Sequence, residues 1–200
     1  MSVIKRESAT DLLKSYRRSD WPGDINYIEI LPAHMSVDDH DFLGIEGGVF
    51  QNVIECIDFK GTPTGPLLGT PVNTGTIWFS FNFPQKWQTN MDINFYLYYS
   101  MDGNAIGKGV ALDCKAWVIG LGDSVDRENP TTEETETILT SEALNLGIFA
   151  KEKLETFVID ETALLSKEAI ITCSIRRRPD VVADTYEGDF KLMKVIARQI

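Results

Sequence analysis

The stretch Val110-Ala111-Leu112-Asp113-Cys114-Lys115-Ala116-Trp117-Val118-Ile119-Gly120 decides the fold. Extended, it sends Val110, Leu112, Cys114, Ala116 and Val118 to one face and Ala111, Asp113, Lys115, Trp117 and Ile119 to the other. The first set is wholly apolar and the second is mixed. That is the pattern of a strand in a sheet covered on one side only.

Neighbouring segments repeat the theme. Residues 93–99 are rich in aromatics of high strand propensity, and residues 76–83 end at Pro84. Residues 25–31 form a strand closed by Pro32. Residues 48–59 are apolar and β-branched enough for one long strand, broken by the Gly/Pro/Thr loop from Gly61 through Pro71. Met101-Asp102-Gly103-Asn104 is a turn. Downstream, residues 135–140, 155–160, 169–177 and 190–200 read as further strands, with Ile171, Cys173 and Ile175 alternating against Ile170, Thr172 and Ser174. Residues 122–134 read as an acidic loop. Short helices are expected only over residues 141–146 and 162–167. About nine short strands separated by turn signals define an all-β chain, an antiparallel β-sandwich of jelly-roll type.

The chain has 200 residues, 43% hydrophobic and 24% charged, enough to bury a core without disulfides or metals. Residues 1–24 stand apart as an N-terminal arm or short helix opened by Thr10, and 25–200 as a single domain. The arm carries five basic groups (Lys5, Arg6, Lys14, Arg17 and Arg18) against four acidic ones, a net of +1 that leaves −12 for the remainder of a −11 chain. Such acidity argues against nucleic acid or anionic membrane as the partner. No apolar leader follows the first residues, and no run approaches the length of a spanning helix. Cys56, Cys114 and Cys173, widely spaced in strand-like segments, read as buried free thiols of a protein made in a reducing compartment.

The chemistry is quiet. His34, Asp38 and His40 have metal-ligating side chains, but a polar loop between strands explains them better. There is no Gly-x-Ser-x-Gly elbow, and the Gly103–Gly109 stretch lacks the order of a phosphate-binding loop. Asp102, Asp113 and Asp123 are the nearest candidates for a carboxylate-dependent hydrolase, and a solvated acidic surface accounts for them equally well. Arg176 and Arg178 should leave their strand on the face opposite Arg177, each bridging to surrounding acids. No catalytic residue, metal or cofactor is expected. Trp78, Trp87, Tyr96, Tyr98, Tyr99 and Trp117 together supply aromatics for a sugar platform, about half of them core by alternation. Trp87 reads as a packed corner. Trp117 and Tyr99 are the candidate contacts, to a glycan or to another subunit.

One ordered succession points further. Ile77-Trp78-Phe79-Ser80-Phe81-Asn82-Phe83-Pro84-x-x-Trp87 is followed by the aromatic strand to Ser100. Then come Val110-Ala111-Leu112, Gly122-Asp123-Ser124-Val125-Asp126 and Ile175-Arg176-Arg177, and last Asp184 through Gly188-Asp189-Phe190-Lys191-Leu192. This order over residues 75–200 resembles the jelly-roll accessory proteins of tailed bacteriophage virions. Phe190 departs from the small residue usual in that turn, and residues 1–70 match nothing in it. The resemblance implies a structural virion protein, made in the host cytoplasm and not an enzyme. It would be a capsid decoration or cement protein, trimeric through its sandwich faces and attached to the major capsid protein partly through the arm. The alternative it implies is a fibre or tail protein that binds host surface glycans.

Overall fold

The computed structural model describes residues 27–38, 45–51, 54–59, 75–101, 107–124, 129–139, 150–163 and 168–200. Two antiparallel sheets pack face to face. The first has strand order β3 (Ile45–Gln51), β4 (Ile54–Phe59), β11 (Phe190–Gln199), β6 (Ile93–Met101) and β9 (Ala150–Ile159). In it β1 (Tyr27–Ile30) pairs with β11 beyond the stretch that β4 occupies. The second sheet runs β2 (Ser36–Asp38), β5 (Thr76–Asn82), β10 (Ile170–Arg177), β7 (Gly109–Ile119) and β8 (Thr132–Leu139). Strands distant in sequence lie side by side, as a jelly roll requires.

The deciding strand behaves as its alternation predicts. Val110, Leu112, Cys114, Ala116 and Val118 are buried; on the outer face Lys115, Trp117 and Ile119 are half-buried, but Ala111 and Asp113 at the other end of the strand are covered as well. Their inward set meets Ile93, Phe95, Leu97 and Tyr99 of β6 and Leu192, Val195 and Ala197 of β11 in one core. Trp87 packs edge-on against Phe81 and Phe83, at 6.3 and 5.8 Å between ring centroids, so the expected corner is there. The three cysteines are buried.

Several expectations change. The long strand over 48–59 is two strands, β3 and β4, paired antiparallel with each other. An additional strand, β2, follows a 3-10 turn at Pro32–His34 and pairs with β5 in the segment taken for a plain loop. The acidic loop after Gly122 is shorter than expected, because β8 begins at Thr132. Outward-facing acids on an edge strand do not weaken pairing when they meet cations, as Glu133 does Lys115 at 2.5 Å. Glu161–Ala163 forms one 3-10 turn where a helix was expected to start. The arm, the Gly61–Pro71 loop and the helix candidate at 141–146 lie outside the described residues.

Two irregularities shape the first sheet. In β11, Leu192 pairs with Tyr99 and Lys194 with Tyr98, so Met193 is an extra residue. In β9, Val158 pairs with Asn94 and Lys153 with Tyr96, which leaves Leu154 to Phe157 opposite Phe95 alone. The amides of this bulge are met from the other sheet. Glu136 Oε1 accepts from Phe157 N at 2.6 Å, Thr156 N at 2.5 Å and Thr156 Oγ1 at 2.9 Å. A buried carboxylate thus ties the edges of the two sheets together.

Candidate functional site

The Met193 bulge sets the outer face of the first sheet. One added residue inverts the alternation of everything after it. Lys194, Ile196 and Arg198 therefore point outward, while Val195 and Ala197 go to the core. On β6 the polar set Asn94, Tyr96 and Tyr98 faces the same way. Pairing then builds three cross-strand rows: Tyr27, Arg198 and Asn94; Glu29, Ile196, Tyr96 and Lys153; and Lys194, Tyr98 and Lys151.

These rows enclose a shallow cleft of about 340 Å³, lined by Tyr27, Glu29, Tyr96, Tyr98, Lys151, Lys194, Ile196 and Arg198. Tyr96 and Tyr98 form its half-buried aromatic floor. Lys151 Nζ stands 4.5 Å from the Tyr96 ring centre and 5.6 Å from that of Tyr98. Lys194 Nζ stands 4.6 Å from the Tyr98 ring and 2.5 Å from Glu29 Oε1. Three cations and one carboxylate line the cleft of a chain that is otherwise strongly acidic. It offers two flat rings, a rim of donors and acceptors, and a local charge opposite to that of the chain as a whole.

Of the sequence candidates, Tyr99 is corrected. It is 1% exposed, with its ring stacked 5.0 Å from Phe190 in the core, and no ligand reaches it from outside. Ile93, Phe95, Leu97 and Tyr99 alternate as one apolar set, so the strand's own pattern carried that signal. Trp117 lies on the outer face of the second sheet, half-buried, with its ring 5.3 Å from Trp78. The two indoles meet diagonally across Thr172 and Ser174 of β10, whose small side chains leave them room. Lys5, Arg6, Lys14, Arg17 and Arg18 lie outside the described residues, as do Asp102 and His40. His34 is exposed, and its Nδ1 accepts from the Leu31 amide at 3.4 Å. Among the described residues no group of His, Cys, Asp or Glu is placed to hold a metal.

The carboxylates and arginines are engaged in structure. Asp113 Oδ2 accepts from Arg176 at 2.9 Å and Arg178 at 2.8 Å, and its Oδ1 accepts from Thr135 at 2.9 Å. Burial pushes its pKa up, but the bonds from Arg178, Arg176 and Thr135 outweigh burial and hold it below the usual 3.8. Asp123 caps a turn, accepting from the Gly120 amide at 2.9 Å. Arg177 points the other way, as alternation requires, and is fully buried beside Asp184. Sequence reasoning did not find Tyr27, Glu29, Lys151, Lys194, Ile196 or Arg198.

No protein-family model and no curated protein sequence matches the chain. Solved structures of similar shape include the CBM22-1 xylan-binding domain of Paenibacillus barcinonensis Xyn10C. It is 8% identical, with 86% of this chain and 93% of that chain covered, at a TM-score of 0.42. The K1 cleaved adhesin domain of Lys-gingipain from Porphyromonas gingivalis W83 is 14% identical over 86% of this chain and 97% of that one, TM-score 0.41. The CBM22-1–GH10 modules of Clostridium thermocellum xylanase 10B, complexed with xylohexaose, are 12% identical at a TM-score of 0.43. There 88% of this chain matches, and it spans 28% of that one. Likeness at this level carries no argument about ligand, and the site is read from its own residues.

Proposed function

We propose that the chain is a non-catalytic carbohydrate-binding module whose ligand lies on the Tyr96–Tyr98 floor. The observation that carries this reading is the pair of tyrosines two residues apart on one strand, side by side at the base of a cleft with a polar rim. A pyranose has a face of C–H bonds suited to an aromatic ring and an edge of hydroxyls that needs donors and acceptors. Glu29, Lys194 and Arg198 supply that rim. In the setting that the phage resemblance implies, the module would belong to a fibre or tail protein that grips host surface glycans. The test is retention on immobilised polysaccharides. Tyr96→Ala/Tyr98→Ala should weaken binding by about tenfold or more, while Trp117→Ala on the opposite sheet should leave it unchanged. No retention on any polysaccharide by the unaltered chain would refute the reading.

A second reading, a trimeric capsid decoration protein, is favoured by the outer face of the other sheet. There the Trp78–Trp117 pair adjoins half-buried Ile119 and exposed Ile170. Aromatic and aliphatic residues on a strand face suit a subunit contact. Light scattering on the full chain separates the two readings. A trimer that Trp117→Lys splits into monomers would support decoration.

A further inference from the structure

The cleft contains a conflict that bears on the chemistry of its ligand. Lys151 Nζ covers the Tyr96 ring at 4.5 Å and reaches toward Tyr98 at 5.6 Å. A sugar that stacks on this floor must first displace that ammonium. A neutral sugar offers the ammonium only hydroxyl oxygens, neutral acceptors that replace the cation–π contact without the gain of a charge pair. An anionic group on the sugar gives it a better one, a charge-assisted hydrogen bond, and frees the ring for stacking in the same movement.

The other charges point the same way. Lys194 is neutralised by Glu29 at 2.5 Å. Lys151 and Arg198, both exposed, have no carboxylate partner among the described residues. They stand on different strands, β9 and β11, on either side of β6. Their rows are those of Tyr98 and Asn94, four residues apart along β6. At about 3.3 Å per residue and about 4.8 Å between strands, the backbone positions of the two residues lie roughly 16 Å apart across the floor. An extended ligand with repeated charges can meet both. In a chain of net charge −11, two such cations at opposite corners of a tyrosine floor form a local exception.

We infer that the ligand of this cleft is an acidic oligosaccharide, bearing uronate or sulfate groups, whose anions draw Lys151 off the Tyr96 ring and engage Arg198 at the far corner. This rests on the cleft being the carbohydrate site proposed above. Single-stranded nucleic acid also combines stacking bases with a charged backbone, but it carries few hydroxyls from which the Glu29 carboxylate in the rim could accept.

The experiment compares matched pairs on the full chain by titration calorimetry: polygalacturonate against fully methyl-esterified pectin, and dextran sulfate against dextran. The acidic member of at least one pair should bind about tenfold or more tightly than its neutral counterpart. Lys151→Met and Arg198→Met should each erase most of that preference. Lys115→Met, on the opposite sheet, should leave it intact. The inference is overturned if neutral and acidic members bind alike, if both cleft variants keep the preference, or if a single-stranded oligothymidylate binds as tightly. Neutral binding that is lost in Tyr96→Ala/Tyr98→Ala would leave the carbohydrate reading standing while this one falls. No binding to any of the four polysaccharides overturns this inference and leaves the broader polysaccharide panel to decide the other.

Discussion

Replacing Arg177 with methionine should cost more stability than almost any other single change in this domain. The guanidinium is fully buried and all five of its N–H groups are used. Nε and Nη2 donate to Asp184 at 2.8 Å each, and Nη2 also donates to the Tyr186 carbonyl. Nη1 donates to the carbonyls of Gly188 at 2.8 Å and Phe59 at 3.5 Å. One side chain on β10 thereby holds the 184–188 segment and the end of β4. Asp184 Oδ2 in turn accepts from the Ala111 amide at 3.3 Å, which brings in β7. Methionine keeps the apolar stem but strands a buried carboxylate whose own side chain is 1% exposed. Removing one partner of a buried ion pair costs about 3–5 kcal/mol. For a domain of this size that lowers the melting temperature by about 6–20 °C. Urea and thermal unfolding measure both quantities. Arg177→Lys separates charge from geometry: an ammonium cannot fork across two carboxylate oxygens and three carbonyls, so it should recover less than half of the loss. Arg177→Met/Asp184→Ala should be no worse than the more damaging single change, because the stranded charge is gone. A loss below about 1 kcal/mol for Arg177→Met, or strict additivity in the double variant, would refute this account of the segment.

Three further outcomes are expected. Glu136→Ala leaves the buried Phe157 amide unmet at the β9 bulge and should cost about 2–3 kcal/mol in urea unfolding, with Glu136→Gln costing less than half of that because its amide oxygen still accepts. Asp113 has a folded pKa below its unfolded value of 3.8, so its contribution is present above pH 3.8 and is lost as pH falls through the lower folded value; Asp113→Asn should flatten the acid dependence of stability below pH 3.8. Gln199 accepts from the Gln88 amide at 2.7 Å and donates back to the Gln88 carbonyl; Gln199→Leu should raise amide hydrogen exchange over residues 87–92 without exposing the β6–β11 core, a pattern that exchange mass spectrometry resolves.

The sandwich was legible because its central strands obey period two. In β7 the apolar set is unbroken and the opposite set is mixed, and in β10 the apolar set runs from Ile171 to Ile175 before Arg177 takes its place, so composition tells which face is covered. The elements that escaped are those that pairing creates and composition does not. β2 is three residues long, in a segment whose histidines and aspartates look like a loop, and it exists because β5 offers an open edge. The division into β3 and β4 was hidden by apolar residues on both sides of it. The arginine cluster was legible in sign and side, since alternation from Cys173 through Ile175 sends Arg177 into the core and its two neighbours out. Its partners Asp113 and Asp184 come from segments 63 and 7 residues away and depend on the register of the sheet.

The cleft was illegible for a more specific reason. Count alternation forward from Phe190 and Leu192, both in the core, and Lys194, Ile196 and Arg198 all fall inside, an absurd placement for two cations. Count backward from Val195 and Ala197 and they fall outside. The two counts disagree by one residue, and the disagreement is itself the signature of a bulge between them. The structure puts that residue at Met193. Deleting Met193 therefore tests the origin of the site directly. With β11 held in place by β4 at one end, loss of the extra residue would drive Lys194 and Arg198 inward and Val195 and Ala197 out. The chain must then either re-register β11 against β6 or unfold. The expected result is a domain that is strongly destabilised in urea. A stable Met193-deleted chain that still binds through Lys151 and Arg198 would show that the cleft does not depend on the bulge.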